Sequence, residues 1–392
     1  MTTAHLSLAF IPLVDAAPLI AAEEMGFARE EGLALDLVRA PSWSSLRDML
    51  VFGRVEAAHM LSPVPVAMAL GIGGVASQIS ALMVTSVNGS VVGVSAPLAE
   101  RLRGAGHDFG FADATGAGRA LVAASRGTLR VGVPFPFSMH AELLYYWLSA
   151  SGLPAPQGIE IRTVPPPLMA DALGAGEIDA FCVGEPWGSR AVETGVGTLL
   201  LPCRAIWSFA PEKVLAVRSD WADREPDLAA RLMRAIWKAC RWLGSGGAQT
   251  TAAEMLARAP YLDLSPELID RSLSGRLVIS PRGEVREAPG FIHFWEGAAT
   301  FPWRSQAAWI GRQMAARLGL DKRMSIDSAK GVFRTDLYRR HLRDVGAILP
   351  GASSKLEGAT GPETPAASET GRLILTENRF FDGRVFDPSA AS

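Results

Sequence analysis

The sequence predicts an α/β protein made of two lobes with a ligand cleft between them, followed by a helical C-terminal extension. Strand-like and helix-like segments alternate from Leu6 to Leu70, and the same rhythm starts again at about Pro97. Two apolar runs, Val91–Val94 and Lys213–Arg218, indicate two crossings between the lobes. At 392 residues the chain is also too long for one small core.

The first lobe is predicted from short apolar strands and capped helices. Asp15 and Pro18 begin a turn into a helix that Gly26 ends, and Ser42 caps the next helix. The predicted strands are Leu6–Ile11, Leu33–Val38 and Val55–Met60, and the helices are Leu19–Glu24, Ser42–Leu50 and Pro63–Leu70.

The second lobe repeats this pattern, and the remaining chain is mostly helical. Its predicted strands are Leu129–Val133, Ile159–Val164, Ile178–Val183 and Thr198–Leu201, with helices at Leu121–Ser125, after Ser138 and at Leu168–Leu173. Pro226–Leu243 is predicted as a long amphipathic helix. The resulting boundaries are 1–92 for the first part of lobe 1, 93–212 for lobe 2, 213–350 for the return to lobe 1 and a helical region, 351–371 for a flexible linker and 372–392 for a tail that docks on the body.

Composition excludes several classes of protein. The net charge of −2 gives no electrostatic case for direct nucleic-acid binding or for an anionic membrane surface. No uncharged apolar run approaches the roughly 18 residues of a membrane span, so we expect no membrane partner. The three cysteines form neither a metal pattern nor a disulfide framework, and the first five residues lack the basic segment of a secretory signal. We therefore expect a cytoplasmic protein.

The motifs of common enzyme classes are absent from the sequence. It contains no P-loop, no G-x-S-x-G and no H-E-x-x-H, and its six histidines have no metal-ligand spacing. Asp15 and Glu185 are acidic residues at strand ends, and Asp15 is better explained as a helix N-cap. Neither a cofactor nor a metal is expected, and the protein is predicted not to be an enzyme.

One short stretch has the chemistry of an anion site. Val133 ends a strand, a Pro-rich turn follows, Ser138 is a candidate N-cap and His140 falls in the first helical turn. Free N–H groups and the positive end of the helix dipole meet there, where a small anion binds well. A capping or surface role for His140 is the alternative.

Two other residues have a similar placement. Trp43, an indole N–H donor, follows Ser42 at a predicted helix start, and Lys213 opens the second crossing. A buried lysine could neutralise a monovalent oxyanion while neutral donors orient it. Packing for Trp43 and solvation for Lys213 are the alternatives.

At these residues the sequence resembles the nitrate/bicarbonate-binding protein family, NrtA- and CmpA-like, and within it the soluble NasS-type nitrate/nitrite sensors. The resemblance covers nearly the whole chain except 351–371. It rests on the combination of Phe10-Ile-Pro-Leu-Val-Asp-Ala-Ala-Pro-Leu19, Ala40-Pro-Ser-Trp-Ser-Ser-Leu-Arg-Asp48, Ala58-His-Met-Leu-Ser-Pro63, Asp179-Ala-Phe-Cys-Val-Gly-Glu-Pro-Trp187, Pro211-Glu-Lys-Val-Leu-Ala-Val-Arg218 and Phe381-Asp-Gly-Arg-Val-Phe-Asp-Pro388.

This resemblance implies a type II periplasmic-binding-protein fold that closes on nitrate or nitrite. The family's Trp, His and Lys ligands match Trp43, His140 and Lys213, and the lysine favours nitrate or nitrite over bicarbonate. The family's Gln position is taken by Ser90, whose shorter hydroxyl reaches the anion through water or not at all. Asp15, Glu185 and Trp187 are further cleft candidates.

The resemblance also implies a biological role. NasS-type sensors hold a NasT-type partner, an ANTAR-type RNA-binding antiterminator, and release it when the anion arrives, so that nitrate-assimilation genes are transcribed. Three alternatives stay open: a solute receptor of an ABC importer, a sensor for another oxyanion such as a sulfonate, and an enzyme on the same fold with Cys182 in its cleft.

Overall fold

The computed structural model describes residues 3–75 and 77–390 and contains two α/β lobes. Residues 1, 2, 76, 391 and 392, which fall within the predicted first lobe and the predicted tail, lie outside the described residues. The strands are β1 Ala4–Phe10, β2 Leu33–Arg39, β3 Ala57–Leu61, β4 Ile79–Asn88, β5 Ser90–Ser95, β6 Leu129–Val133, β7 Ile159–Thr163, β8 Ala180–Gly184, β9 Gly197–Pro202, β10 Pro211–Arg218, β11 Arg276–Val278, β12 Val285–Glu287, β13 Ile292–His293, β14 Leu349–Pro350, β15 Thr364–Ala366, β16 Ser368–Thr370 and β17 Leu373–Leu375.

Helices cover the sheets and form much of the C-terminal third. The α-helices are α1 Ala17–Glu24, α2 Phe27–Glu30, α3 Trp43–Val51, α4 Pro63–Ala69, α5 Ala96–Gly104, α6 Ala114–Ala124, α7 Met139–Ala150, α8 Met169–Gly174, α9 Trp187–Glu193, α10 Ser219–Arg224, α11 Pro226–Leu243, α12 Gln249–Ala257, α13 Pro266–Ser274, α14 Arg304–Leu318, α15 Lys322–Val332 and α16 Thr335–Leu342. Within the described part of the chain, none of these helices combines the length and the apolar character needed to span a membrane.

The first lobe is built on a six-stranded sheet in the order β13-β4-β10-β3-β1-β2. Strands β1, β2 and β3 pair in parallel, whereas β10 runs antiparallel to both β3 and β4. Parallel β1 and β3 end at the same edge of the sheet, so the segments that follow them meet there. The expected βα rhythm of this lobe is thus present.

The second lobe is built on a five-stranded sheet in the order β7-β6-β8-β5-β9. The chain leaves the first sheet on β4, turns at Asn88-Gly89 and enters the second sheet as β5. It returns through residues 203–210 into β10. Asn88 joins the two crossings, because its side chain donates to Ser208 O at 2.8 Å and accepts from Ala210 N at 3.1 Å.

Two parts of the C-terminal third differ from the sequence expectation. The β11–β12 hairpin docks on the second lobe, where Leu199 N donates to Ile279 O at 2.7 Å and Arg286 Nε donates to Phe109 O at 2.9 Å. The sequence boundaries had placed it with the first lobe, since nothing local to the hairpin shows which sheet it contacts.

The second difference concerns residues 351–371, which the composition had predicted to be a flexible linker. The structure instead contains β15 and β16 there, and it buries the side chain of Glu357. That carboxylate accepts from Ser305 Oγ and Lys355 Nζ, each at 2.5 Å. The small polar residues of this stretch therefore form turns over a packed surface.

Candidate functional site

The predicted binding residues converge on the cleft between the lobes. Trp43 is the first residue of α3, Ser90 opens β5, His140 lies in the first turn of α7 and Lys213 lies on β10. Each of the four is at most 1% exposed. Lys213 and Trp43 come from the first lobe, whereas Ser90 and His140 come from the second.

Two carboxylates hold the ammonium group of Lys213. Its Nζ donates to Asp15 Oδ2 at 2.6 Å and to Glu212 Oε1 at 2.9 Å. Asp15 lies in the 3-10 turn Val14–Ala16 after β1, and its carboxylate caps no helix there. The prediction of an N-cap role for Asp15 was therefore wrong, because the ion pair with the lysine takes its place.

A β-bulge explains how Glu212 and Lys213 can both face the cleft. Consecutive residues of a regular strand point to opposite faces of the sheet. Here the pairing of β10 with β4 shifts between Pro211 and Lys213: Pro211 opposes Val87, and Lys213 opposes the neighbouring Ser86. Glu212 is the additional residue, and such a bulge turns a side chain away from its regular direction.

His59 extends the cluster on the first-lobe side. It lies on β3, and its Nε2 is 3.0 Å from Asp15 Oδ1. The rings of His59 and Trp43 are 5.9 Å apart. Asp15 therefore has a cation on one oxygen and an imidazole beside the other.

His140 faces the same cluster from the second lobe. Its Nε2 is 3.1 Å from Ser90 Oγ, and its Nδ1 is 3.4 Å from Glu212 Oε1. The helix start is as predicted, since Ser138 Oγ accepts from Ala141 N at 3.2 Å. The hydroxyl of Ser90 thus orients the histidine ring.

The indole nitrogen of Trp43 is an unused donor at this site. Trp43 Nε1 is buried and has no hydrogen-bond partner within residues 3–75 and 77–390. Lys213 Nζ lies 5.5 Å from the centroid of the same ring. A buried N–H without a partner costs free energy, so it points to a ligand that would accept from it.

The segment after β8 holds the two lobes together. Val14 N donates to Glu185 O at 2.9 Å, and Trp187 Nε1 donates to Pro12 O at 2.7 Å. Glu185 Oε2 accepts from Ser189 N at 3.1 Å. Glu185 and Trp187, which the sequence analysis named as cleft candidates, therefore both lie at the cleft and contact the opposite lobe.

Burial and pairing set the protonation of the cluster. Burial alone would raise the pKa of Asp15, but Lys213 and His59 outweigh it and hold that pKa well below its usual range. Burial raises the pKa of Glu212, and the nearby ammonium only partly opposes this. Burial lowers the pKa of His140, and the charge of Lys213 lowers it further. Asp15 is therefore the ionised partner of the lysine, and His140 is neutral.

Cys182 does not have the environment of a nucleophile. Its Sγ is buried 3.3 Å from Cys203 Sγ, and burial raises the pKa of the Cys182 thiol well above its usual value. The proximity of these two cysteines was not expected from their spacing. Among the described residues, no group of His, Cys, Asp and Glu side chains could hold a metal ion.

Sequence reasoning missed Glu212 and His59. Glu212 stands beside Lys213 in a quoted motif, but a regular strand would turn it away from the cleft. His59 lies between apolar residues of a strand, which makes it a candidate for a buried polar role without identifying its partner. The bulge and the pairing of β3 with β10 become visible only in three dimensions.

Comparisons with known proteins agree with this architecture. The NMT1-like family profile matches residues 1–257. The nitrate/nitrite-binding protein NrtA of Synechococcus elongatus is 30% identical over 98% of this chain and 83% of its own length. The nitrate import ATP-binding protein NrtC of Synechocystis sp. is 32% identical over 87% of this chain, which spans about half of that longer protein.

A solved structure shows the same fold over the full length. The crystal structure of the periplasmic nitrate-binding protein NrtA from Synechocystis superposes with a TM-score of 0.84 at 26% identity, covering 99% of this chain and 96% of that one. The sequence prediction of a two-lobed binding-protein fold is confirmed. The chain therefore belongs to the NMT1-like family and, within it, to the NrtA-like proteins that its motifs indicated.

Proposed function

We propose that this protein binds nitrate or nitrite between its two lobes. The observation that carries the proposal is the buried Nε1 of Trp43, which has no hydrogen-bond partner among the described residues and belongs to the ring that Lys213 approaches. The similarity to the nitrate/nitrite-binding protein NrtA supports the choice of anion. A planar oxyanion would accept from the indole, and His140 and Ser90 would approach it from the other lobe.

The direct test is calorimetric titration with nitrate, nitrite and bicarbonate. Trp43→Phe keeps an aromatic ring in the site but removes the donor. We expect the wild-type protein to bind nitrate or nitrite and the variant to bind about 10- to 150-fold more weakly, since one hydrogen bond to a charged group is worth about 1.5–3 kcal/mol. Equal affinities would show that Trp43 does not bind the anion.

We further propose that anion binding controls a partner protein, as the resemblance to NasS-type sensors suggests. In this proposal the protein is cytoplasmic and its partner is a NasT-type antiterminator. Contacts from both lobes favour the closed form when the anion is present, and a partner that prefers the open form would be released. Partner affinity that is the same at zero and at saturating nitrate would reject this mechanism.

An importer receptor is the second candidate, because the names of the NrtA and NrtC relatives refer to nitrate binding and nitrate import. Both candidates need the same cleft, so anion binding does not separate them. Fractionation of cells that express the full-length natural gene separates them: recovery in the cytoplasm favours the sensor, and recovery outside the inner membrane favours the receptor.

A further inference from the structure

The positive charge at the proposed anion site is already balanced by the protein. Lys213 Nζ lies 2.6 Å from Asp15 Oδ2 and 2.9 Å from Glu212 Oε1. All three side chains are at most 2% exposed. A monovalent anion that enters this cleft therefore adds a negative charge to an enclosed group that has no excess positive charge.

Adding that charge in a water-excluded place is costly unless another charge changes with it. The described groups that face Glu212 are Lys213 on its own strand, Asp15 after β1, His59 on β3, His140 on α7 and Cys182 on β8. Glu185 lies on the second-lobe side of the same cleft. The lysine is a cation already, so charge balance has to come from a proton on a carboxylate or an imidazole.

Glu212 is better placed than Asp15 to take this proton. Asp15 lies between the ammonium of Lys213 and the imidazole of His59, and both favour its ionised form. Glu212 Oε1 has one cation at 2.9 Å and faces His140 Nδ1, which is 3.4 Å away and unpaired among the described residues. Glu212 also occupies the position between Lys213 and His140 that an incoming oxyanion would need.

We propose that the anion binds together with one proton, and that Glu212 carries this proton. The inference rests on the proposed function and deepens it. Once Glu212 is protonated, its ion pair with Lys213 is lost, so the ammonium can interact with the anion. The new O–H of Glu212 can donate to an anion oxygen. The enclosed charge is then the same before and after binding.

The experiment is calorimetry with nitrate in pairs of buffers that differ in ionisation enthalpy, between pH 6 and pH 9. We expect uptake of one proton per bound anion at the upper end of this range and an affinity that falls about tenfold per pH unit there. Nitrate binding with no proton uptake anywhere in the range would overturn the proposal. No binding of nitrate or nitrite even at pH 6 would instead contradict the proposed function.

Two variants locate the proton. Glu212→Gln is neutral at every pH and keeps a donor and an acceptor, so we expect its proton uptake to disappear and its affinity to change less than twofold across the range. Glu357→Gln is the matched control, because Glu357 is also a buried carboxylate beside a buried lysine, Lys355, but takes no part in the cleft. We expect this control to keep the proton uptake. Proton uptake retained by Glu212→Gln would place the proton on another carboxylate or on a histidine of the cleft and overturn the role of Glu212.

Discussion

The ion cluster makes Lys213→Met the most informative single change for stability. The substitution keeps most of the apolar stem but leaves Asp15 and Glu212 buried without their cation. Removing one partner of a buried ion pair costs roughly 3–5 kcal/mol. With an unfolding entropy of about 2.1 cal/mol/K per residue over 392 residues, this corresponds to a fall in Tm of about 4–6 °C.

The loss of stability in Lys213→Met should depend on pH, and the ionisation of the buried carboxylates determines the direction of this dependence. In the wild type the pKa of Asp15 is depressed, so the ion pair contributes stability above the unfolded pKa of about 3.9 and loses it as the pH falls below that value. Without Lys213, burial should raise the pKa of Asp15, and stability is then lost as the pH rises through the raised value. The difference in Tm between wild type and variant should therefore be larger at pH 8 than at pH 5.

Differential scanning fluorimetry without added anion measures this difference. Lys355→Met is the matched control, because its partner Glu357 still accepts from Ser305 Oγ and from Asn378 Nδ2, each at 2.5 Å. We expect the control to lose less stability than Lys213→Met. A Lys213→Met protein that melts within about 1 °C of the wild type at pH 8, or whose deficit is the same at both pH values, would refute the charge assignment.

Three further outcomes follow from other contacts. Burial raises the pKa of Glu185 to about 7, so the wild type loses stability as the pH rises from about 4.3 through 7. Melting curves at pH 5.5 and 8.5 should therefore show that Glu185→Gln gains stability relative to the wild type between the lower and the higher pH. Asn88→Gly keeps the backbone φ of 61° but loses both hydrogen bonds between the crossings, and chemical denaturation should show a loss of about 1–3 kcal/mol. Refolding with oxidised glutathione should join Cys182 to Cys203 with release of two reduced glutathiones, and mass spectrometry after alkylation should find this bond in Cys240→Ser but not in Cys203→Ser.

The fold could be predicted where the whole hydrophobic pattern of an element lies within one continuous segment of the sequence. The amphipathic helix Pro226–Leu243 has the bounds that the sequence indicated. Strand β4 was missed, because all ten of its residues are buried and it therefore lacks the alternation that marks a half-buried strand. Residues 351–371 were predicted to be a linker because of their composition. Composition alone does not show which surface a polar segment covers.

The site could be predicted only in part, for a geometric reason. Trp43 and His140 were found because helix N-termini have a sequence signature, and Lys213 was found because it begins an apolar strand. Glu212 could not be found in this way, since its direction depends on a bulge in the pairing of β10 with β4. Local signals therefore predicted the donors of the candidate site, whereas tertiary pairing determines its charge.

The position of the bulge places this charge next to the connections between the two lobes. Strand β10 follows the segment 203–210 by which the chain returns to the first lobe, and it pairs with β4, the strand by which the chain leaves that lobe. Lys213 and Glu212 thus lie beside the two connections between the lobes, and Glu212 faces His140 of the opposite lobe at 3.4 Å. Opening the cleft would separate Glu212 from His140 and expose the ion pair to water. The pKa values of the paired groups would then return toward their ordinary values. In the proposed mechanism, proton uptake, anion binding and closure of the cleft therefore involve the same few atoms, and a substitution that changes one of these equilibria should change the other two.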